Sequence, residues 1–412
     1  MRPPKTSVII VSRKRPAHLQ LCLFALTMQD HPDFEIILIA DPDGLAQCPD
    51  LPIKRAAFDQ SNISMARNLG IGLSAGKIIA FIDDDAVAEP GWLAQLTAPL
   101  NDPAIIAATG WTRDRNGFSW QMQSQRIGPD GWGIPIPAAR DHAVRIRPPA
   151  NGMPISTLGT NCAFRADALR EVGGFDPVFS FHLDESDVNM RMAAAFPDAM
   201  TAIVPAAQVI HARAGSERRK HNQTPRDLTM QGRSTVLFAR RHGAFPPVTE
   251  AIHRKRRRLL RHMLEGRLDP FHLTPVLNTL RQGLADGITA ILPDPPKARR
   301  DNPPPFNPIP TRQRSSTVFG GWYWHARELR NRAEKAVSKG KITTLILLTP
   351  SFIPHRTQLT TGGWFEQTGG IWGASEPDDP PASFWKMQER LTREIKMTDL
   401  RRNLSVWSAV SA

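Results

Sequence analysis

Cysteine is scarce in this 412-residue chain, and the three that occur, Cys22, Cys48 and Cys162, lie far apart with no paired spacing. That excludes a zinc site of the paired-cysteine type and a disulfide framework, and it fits a reducing compartment. Long apolar runs are also missing. The longest, Ile342–Leu348, is strand-sized, against the roughly 20 residues needed to cross a bilayer. Val8–Val11, near the N-terminus, is too short for the core of a signal peptide. The expectation is a cytoplasmic protein, soluble or peripheral at the inner face of a membrane. No Gly- and Lys-rich phosphate loop follows the first apolar run, which argues against a nucleotidyltransferase. Acidic residues are in deficit, 39 against 52 Lys and Arg, giving a formal charge of +13 and an anionic partner as the expectation. The basic residues are not interleaved with aromatics and no nucleic-acid motif is present, so nucleic acid is not expected.

What is present is globular in character: 41% hydrophobic and 22% charged residues, in a chain long enough for more than one domain. Ile78-Ile79-Ala80-Phe81-Ile82 runs straight into Asp83-Asp84-Asp85. A continuous apolar run reads as a strand buried on both faces, and open α/β sheets place ligands at such strand ends. Three adjacent carboxylates repel one another unless solvated or joined to a cation. A divalent metal on Asp83 and Asp85 is one reading, and an acidic turn is the other; neither gives Asp84 a role. Ser7–Val11 and Phe34–Ile39 read as further strands, His18–Met28 and Asn62–Leu73 as helices. Strands alternating with helical crossovers imply a parallel sheet, with Asp41 and Asp83 on the same edge.

The segments Ser7–Ser12 with Arg15-Pro16, Asn62–Gly70 and Phe81–Asp85 resemble, in order and spacing, the motifs of family 2 glycosyltransferases. The resemblance covers roughly residues 1–245, continuing through Gly159–Arg165, Val172–Asp176 and Leu183–Arg191. It implies an α/β GT-A fold: a Rossmann-like, mostly parallel sheet with flanking helices. It also implies an inverting, metal-dependent transferase moving a sugar from a nucleotide-sugar, UDP in particular, to a glycan, lipid-linked or other hydroxyl acceptor in cell-envelope or extracellular polysaccharide synthesis. By the same resemblance Asp41 meets the nucleotide base, Asp83 the ribose, Asp85 the metal, and Arg67 the phosphates. His211 completes the coordination of Mn2+ or Mg2+, and either Glu185 or Asp184 is the catalytic base. The family's usual acid order is reversed here, which supports the alternative of a catalytically silent nucleotide-sugar-binding or scaffold module. Gln231-Gly232-Arg233-Ser234 does not match the motif of processive synthases.

Thr109–Pro154 reads as irregular and rich in tryptophan. Trp132 and Asn161 are the candidates for acceptor contact, although such tryptophans also serve simply to pack long loops. The densest basic run, Arg254–Arg258, lies in a helix with Leu260, Met263 and Leu264 on one face. It fits an anionic membrane surface or a helix packed on its own domain. The expected organisation is a catalytic domain over 1–245, a basic helical and Pro-rich connection over 246–340, and a C-terminal region over 341–412. That last region contains a strand at Lys341–Thr349 and a Gly/Trp-rich segment, and Trp322–Lys339 reads as a charged helix before it.

Overall fold

The computed structural model describes residues 3–137, 141–311, 314–402 and 409–411. Its first unit runs β1 (Thr6–Ser12), α1 (Pro16–Leu26), β2 (Phe34–Ala40), α2 (Pro42–Leu45), β3 (Lys54–Ala57), α3 (Ile63–Leu73), β4 (Ile78–Asp83) and β5 (Ala86–Ala88). It continues through α4 (Trp92–Thr97), β6 (Ile105–Asp114), β7 (Trp120–Met122), the hairpin β8 (Gln125–Ile127) and β9 (Gly133–Pro135), and β10 (Arg145–Arg147). The unit ends with β11 (Cys162–Arg165), α5 (Ala166–Glu171), α6 (Asp184–Ala195), β12 (Met200–His211), α7 (Thr229–Arg241), α8 (Val248–Leu264) and α9 (Pro270–Thr289).

One large sheet carries this unit in the order β10-β12-β6-β11-β4-β1-β2-β3. The strands β3, β2, β1 and β4 are parallel, as the helical crossovers demand, and β11 enters antiparallel between β4 and β6. The apolar side chains of β1, β2 and β4 are buried because helices cover both faces of the sheet. Each such Ile, Leu or Val side chain contributes about 1.5–3 kcal/mol of burial. The expected α/β sheet is therefore observed. Thr109–Pro154, expected to be irregular, begins inside the ten-residue strand β6 and holds the short strands β7 to β10. The two apolar runs Ala202–Val204 and Gln208–Ile210 are one strand, β12, interrupted by a register shift between Val204 and Gln208 where Pro205 cannot donate to the ladder.

A second unit comprises β13 (Ser316–Trp322), α10 (Ala326–Ser338), β14 (Ile342–Thr349), β15 (Arg356–Leu359), β16 (Phe365–Gly370), α11 (Met387–Arg402) and β17 (Ala409–Ser411), its strands in the order β15-β16-β14-β13-β17. Trp322 thus ends a strand, and the charged helix begins only at Ala326. Because β13 pairs in register with β14, we propose that the C-terminal domain starts near residue 315 rather than 341.

Between the units, the proline-rich segment lies along the first one. Ile309 donates its N–H to the Phe34 carbonyl at 2.8 Å and joins that unit's core, and the Asn307 N–H donates to Glu35 at 2.9 Å. The buried Arg402–Glu89 ion pair, 2.7 Å, fastens α11 to the first unit. Helix α8 packs on α9 through Ala251 and Leu259, whereas Leu264 is 83% exposed. Of the apolar face expected from Leu260, Met263 and Leu264, Met263 does pack against this core, Leu264 turns outward, and Leu259 is the residue most deeply buried. Helices α7 and α9 approach so closely that a Cβ on Gly283 would run into the Thr229 carbonyl.

Candidate active site

The acidic turn is built by three pieces of register. In the β1–β4 pairing Val11 sits opposite Asp83, so the Ser12–Arg15 loop leaves the sheet beside the acidic turn. The chain then turns at once into β5, which pairs antiparallel with the end of β12 and puts Ala86 opposite His211. Finally, the Ala212 N–H donates to the Asp85 carbonyl at 2.8 Å and the Ala214 N–H to its carboxylate at 2.6 Å.

Asp83, Asp85 and His211 consequently converge, with ligand atoms all within 4.8 Å of one another. His211 Nε2 lies 3.1 Å from Asp85 and 3.8 Å from Asp83. Its Nδ1 faces the side-chain oxygen of Gln121 at 2.9 Å, which favours the tautomer that leaves the Nε2 lone pair for a metal. Burial alone would raise the Asp85 carboxyl, but His211, Arg15 and the Ala214 amide more than offset it, holding it well below the usual carboxylate range. Burial likewise works against a charged His211, and Asp85 and Asp83 raise it overall. Two carboxylates and one imidazole form a donor set that fits Mg2+ or Mn2+, the nitrogen suiting Mn2+ better. Asp84, without a role in the sequence reading, is fully buried: Ser12 Oγ donates to it at 2.7 Å and Arg15 pairs with it at 2.7 Å. It fastens the basic loop to the acidic turn.

Opposite this cluster, α6 begins at Asp184 directly after Leu183, a left-handed residue at φ 66°. Strain of this kind persists where surrounding structure fixes it, and here it points the first turn of α6 toward the cluster. The link is Arg67 on α3, 4% exposed, which pairs with Asp184, reaches Asp83 at 3.4 Å and lies 3.8 Å from Glu185. Its guanidinium also stacks over Phe81 and Phe175. Gly159 passes so near that a Cβ would strike this guanidinium, and its N–H donates to Glu185 at 3.3 Å. Burial and the neighbouring Glu185 push the Asp184 carboxyl up, whereas Arg67 overcomes burial to hold Glu185 below its ordinary value. The two titrate as a pair. Glu185 is the more accessible of them, its side chain 19% exposed against 4% for Asp184.

A cavity of about 350 Å³ is lined by Arg67, Asp83, Asp85, Asp184, Glu185 and His211, together with Arg15, Arg218 and Arg219. The structure thus brings six of the sequence candidates together. It does not bring Asp41, Trp132 or Asn161 to the walls of this cavity. The Asp41 carboxylate caps α2 by accepting from the Gly44 N–H at 3.0 Å and from Lys14 N–H at 2.7 Å. Asn161 is fully buried; its amide donates to the Trp111 and Ala207 carbonyls and accepts from the Trp92 indole, tying β6, β12 and α4 together. Trp132 packs among the helices under Arg254, whose guanidinium sits 4.3 Å from its ring. Gln121 and Arg15 escaped notice as site residues. Gln121 carries no local signal, whereas Arg15 had one in its basic loop.

The sequence pattern of glycosyl transferase family 2 matches residues 7–173. This segment belongs to glycosyl transferase family 2. The family 2 segment contains Asp41, Arg67, Asp83 and Asp85 and ends before Asp184, Glu185 and His211. The chain is 31% identical over 124 residues to the glucosyl-dolichyl phosphate glucuronosyltransferase of Haloferax volcanii, covering 29% of this chain and 36% of that protein. It is 30% identical over 133 residues to EpsH of Bacillus subtilis, a candidate glycosyltransferase, covering 30% of this chain and 38% of EpsH. The chain therefore spans little more than a third of each of these relatives. The crystal structure of GalNAc-T7 with UDP, GalNAc and Mn2+ overlays with a TM-score of 0.41 at 16% identity, over 51% of this chain and 44% of that one. So loose an overlay carries no weight on function.

Proposed function

We propose that this protein is an inverting, metal-dependent glycosyltransferase that uses a nucleotide-sugar, UDP-linked in the first instance, in envelope or extracellular glycan synthesis. The observation that carries the reading is one cavity with a metal-competent triad on one wall, an acid pair on the other, and Arg67 bridging them. Asp83, Asp85 and His211 would hold a divalent ion, which would supply Lewis-acid charge neutralisation for the leaving group. Glu185, kept ionised by Arg67 and open to the cavity, accepts the proton of the acceptor hydroxyl. The freed oxygen attacks the anomeric carbon as the bond to the diphosphate breaks, and a single displacement inverts the centre. Arg15, Arg218 and Arg219 line the same cavity and add positive charge where the leaving group develops negative charge. Asp184 holds Arg67 in place.

The acceptor is a hydroxyl on a glycan or lipid-linked carrier; the Haloferax relative, by its name, acts on a lipid-linked glucosyl phosphate. Among the described residues no helix is long and apolar enough to cross a membrane. Peripheral attachment to an anionic surface would use the outward Arg256 and Arg257 with Leu264 and Phe271, which are 83% and 89% exposed at the α8–α9 turn. Within the basic run Arg254 stacks on Trp132 and Lys255 donates to Gln231 at 2.7 Å, so those two serve packing. The test of function is UDP release from UDP-sugars with Mn2+ by wild type, Asp85→Ala and Glu185→Gln. Equal release by all three refutes the mechanism, and release by all three no greater than without protein leaves the silent binding module.

A further inference from the structure

Outside the donor cavity, a second cleft of about 290 Å³ opens between α8, the loop after β12 and the β6–β7 turn. Five arginines line it, Arg115, Arg213, Arg258, Arg261 and Arg267, against the single carboxylate of Asp114. Asp114 is paired with Arg213 at 3.3 Å, and Arg267 pairs with Glu265. Among the described residues, Arg115, Arg258 and Arg261 face no carboxylate within ion-pair distance. A protein gains nothing in stability from gathering unneutralised guanidinium groups, because their repulsion opposes folding.

Two buried side chains in the cleft lack the partners their burial calls for. His262 is 5% exposed, lines the cleft, and neither ring nitrogen has a hydrogen-bond partner. Gln223 is 6% exposed and its side-chain oxygen is unpartnered, while its amide nitrogen is fixed on the Arg213 carbonyl. An unpaired buried imidazole carries an uncompensated desolvation cost, which a bound ligand would recover. Burial, with Arg267, Arg258, Arg213 and Arg261 around it, pushes His262 down to about 4, so the ring is neutral and offers a single N–H donor.

The cleft is also connected. A smaller neighbouring cavity shares Arg213, Gln223 and Arg258 with it, and shares Arg218 and Arg219 with the donor cavity. A line of guanidinium groups therefore runs from the triad to the far cleft.

We propose that this cleft binds a phosphate or diphosphate group, held by Arg258, Arg261, Arg115 and the His262 N–H, and that the group belongs to the acceptor substrate. The second half of this statement rests on the glycosyl-transfer reading; the binding itself does not. Planar guanidinium forks match phosphate oxygens bidentately, and several converging on one cleft select multiply charged anions over chloride or a lone carboxylate. The phosphate comes either from a lipid headgroup or from a soluble phosphorylated molecule.

The test is calorimetric titration of the full chain with inorganic pyrophosphate and with inorganic phosphate, in the absence of divalent metal so that the donor triad does not contribute. Wild type should bind pyrophosphate more tightly than phosphate. Arg258→Gln/Arg261→Gln should weaken pyrophosphate binding by about tenfold or more, and Arg258→Lys/Arg261→Lys should fall between the two. UDP affinity with Mn2+, measured on the same variants, should stay within about twofold of wild type because those side chains do not line the donor cavity. Should Arg258→Gln/Arg261→Gln fail to fold, Arg115→Gln on the opposite wall carries the same expectation of weaker binding. Two source arms follow: flotation with phosphatidylcholine vesicles with and without a polyprenyl phosphate, and titration with glucose 1-phosphate. Binding in either arm that the Arg258/Arg261 substitution abolishes supports the site and identifies its source. No pyrophosphate binding by wild type, or equal binding by wild type and the glutamine variant, overturns the proposal, whether or not the protein turns over a donor. If instead pyrophosphate binds here and no UDP-sugar is turned over, the anion site stands and the glycosyl-transfer reading falls.

Discussion

Arg67→Met is the perturbation with the most to say about the site. The guanidinium is 4% exposed and answers to three carboxylates, Asp83, Asp184 and Glu185, of which Asp184 is itself buried. Methionine keeps much of the stem's packing against Phe81 and Phe175 while removing the charge. Breaking a buried pair by deleting one partner costs about 3–5 kcal/mol. Because the acid pair can respond by taking up a proton, the loss at neutral pH should sit at the lower end, about 3 kcal/mol, or about 5 °C in a unit of this size. The sign of the pH dependence follows from Glu185. Its folded pKa is depressed in wild type, so its contribution is present above its unfolded value and is lost as pH falls through the folded value. In Arg67→Met that contribution is gone, so the deficit should be at full size above the ordinary glutamate value of 4.5 and shrink only as pH falls below it. Adding Asp184→Asn to Arg67→Met removes the stranded carboxylate and should recover most of the loss. Differential scanning calorimetry across this pH range reads all three quantities. A deficit that does not vary with pH, or a double variant no more stable than Arg67→Met, refutes the electrostatic account and leaves Arg67 as a packing residue.

Further outcomes are expected elsewhere. Asp85→Asn should abolish Mn2+-dependent thermal stabilisation, whereas Gln121→Leu, which frees only the second nitrogen of His211, should weaken Mn2+ affinity about 10- to 100-fold without abolishing it. Gly283→Ala should lower thermal stability by about 1–3 kcal/mol by forcing α9 off the Thr229 carbonyl, with little change in UDP binding. Trp132→Ala should cost about 3 kcal/mol by emptying the space under Arg254, yet leave UDP release in the absence of acceptor close to wild type. A Trp132→Ala protein of unchanged stability that has lost acceptor use would return the ring to the sugar site.

The buried strands and the acid-bearing turns were legible because they are local. An uncharged β-branched run can hardly be anything but an interior strand, and acids in the first turn of α6 sit where the helix dipole favours them. His211 was legible only as a residue at a suitable distance along the chain. Its approach to Asp85 depends on β5 pairing with the end of β12. Asp41 shows the converse: an acid at the expected strand end whose two backbone-amide partners only the folded loop reveals. Asn161 reads as a polar residue in a small-residue strand, and only the assembled sheet reveals three neighbouring elements claiming its amide. Helix α8 carries the same lesson for charge. Arg254, Lys255, Arg257 and Arg258 look alike in the sequence, yet one lies on a tryptophan, one donates to Gln231, one faces outward and one enters the anion cleft.

The proline-rich segment has a consequence for how the chain is made. Ile309 sits in the same core as β1 and β2, the Asn307 N–H donates to the Glu35 carboxylate, and Arg299 donates to the Asn68 carbonyl and pairs with Asp301. A nascent chain emerging from the ribosome reaches the end of its family 2 segment at residue 173, more than a hundred residues before these contacts exist. Domains generally fold as units during synthesis, N-terminal first. Here the first unit lacks these contacts until the chain has been extended past residue 309. A fragment ending before residue 307 would lack the Ile309 and Asn307 contacts, so the first unit is complete only with the proline-rich segment included.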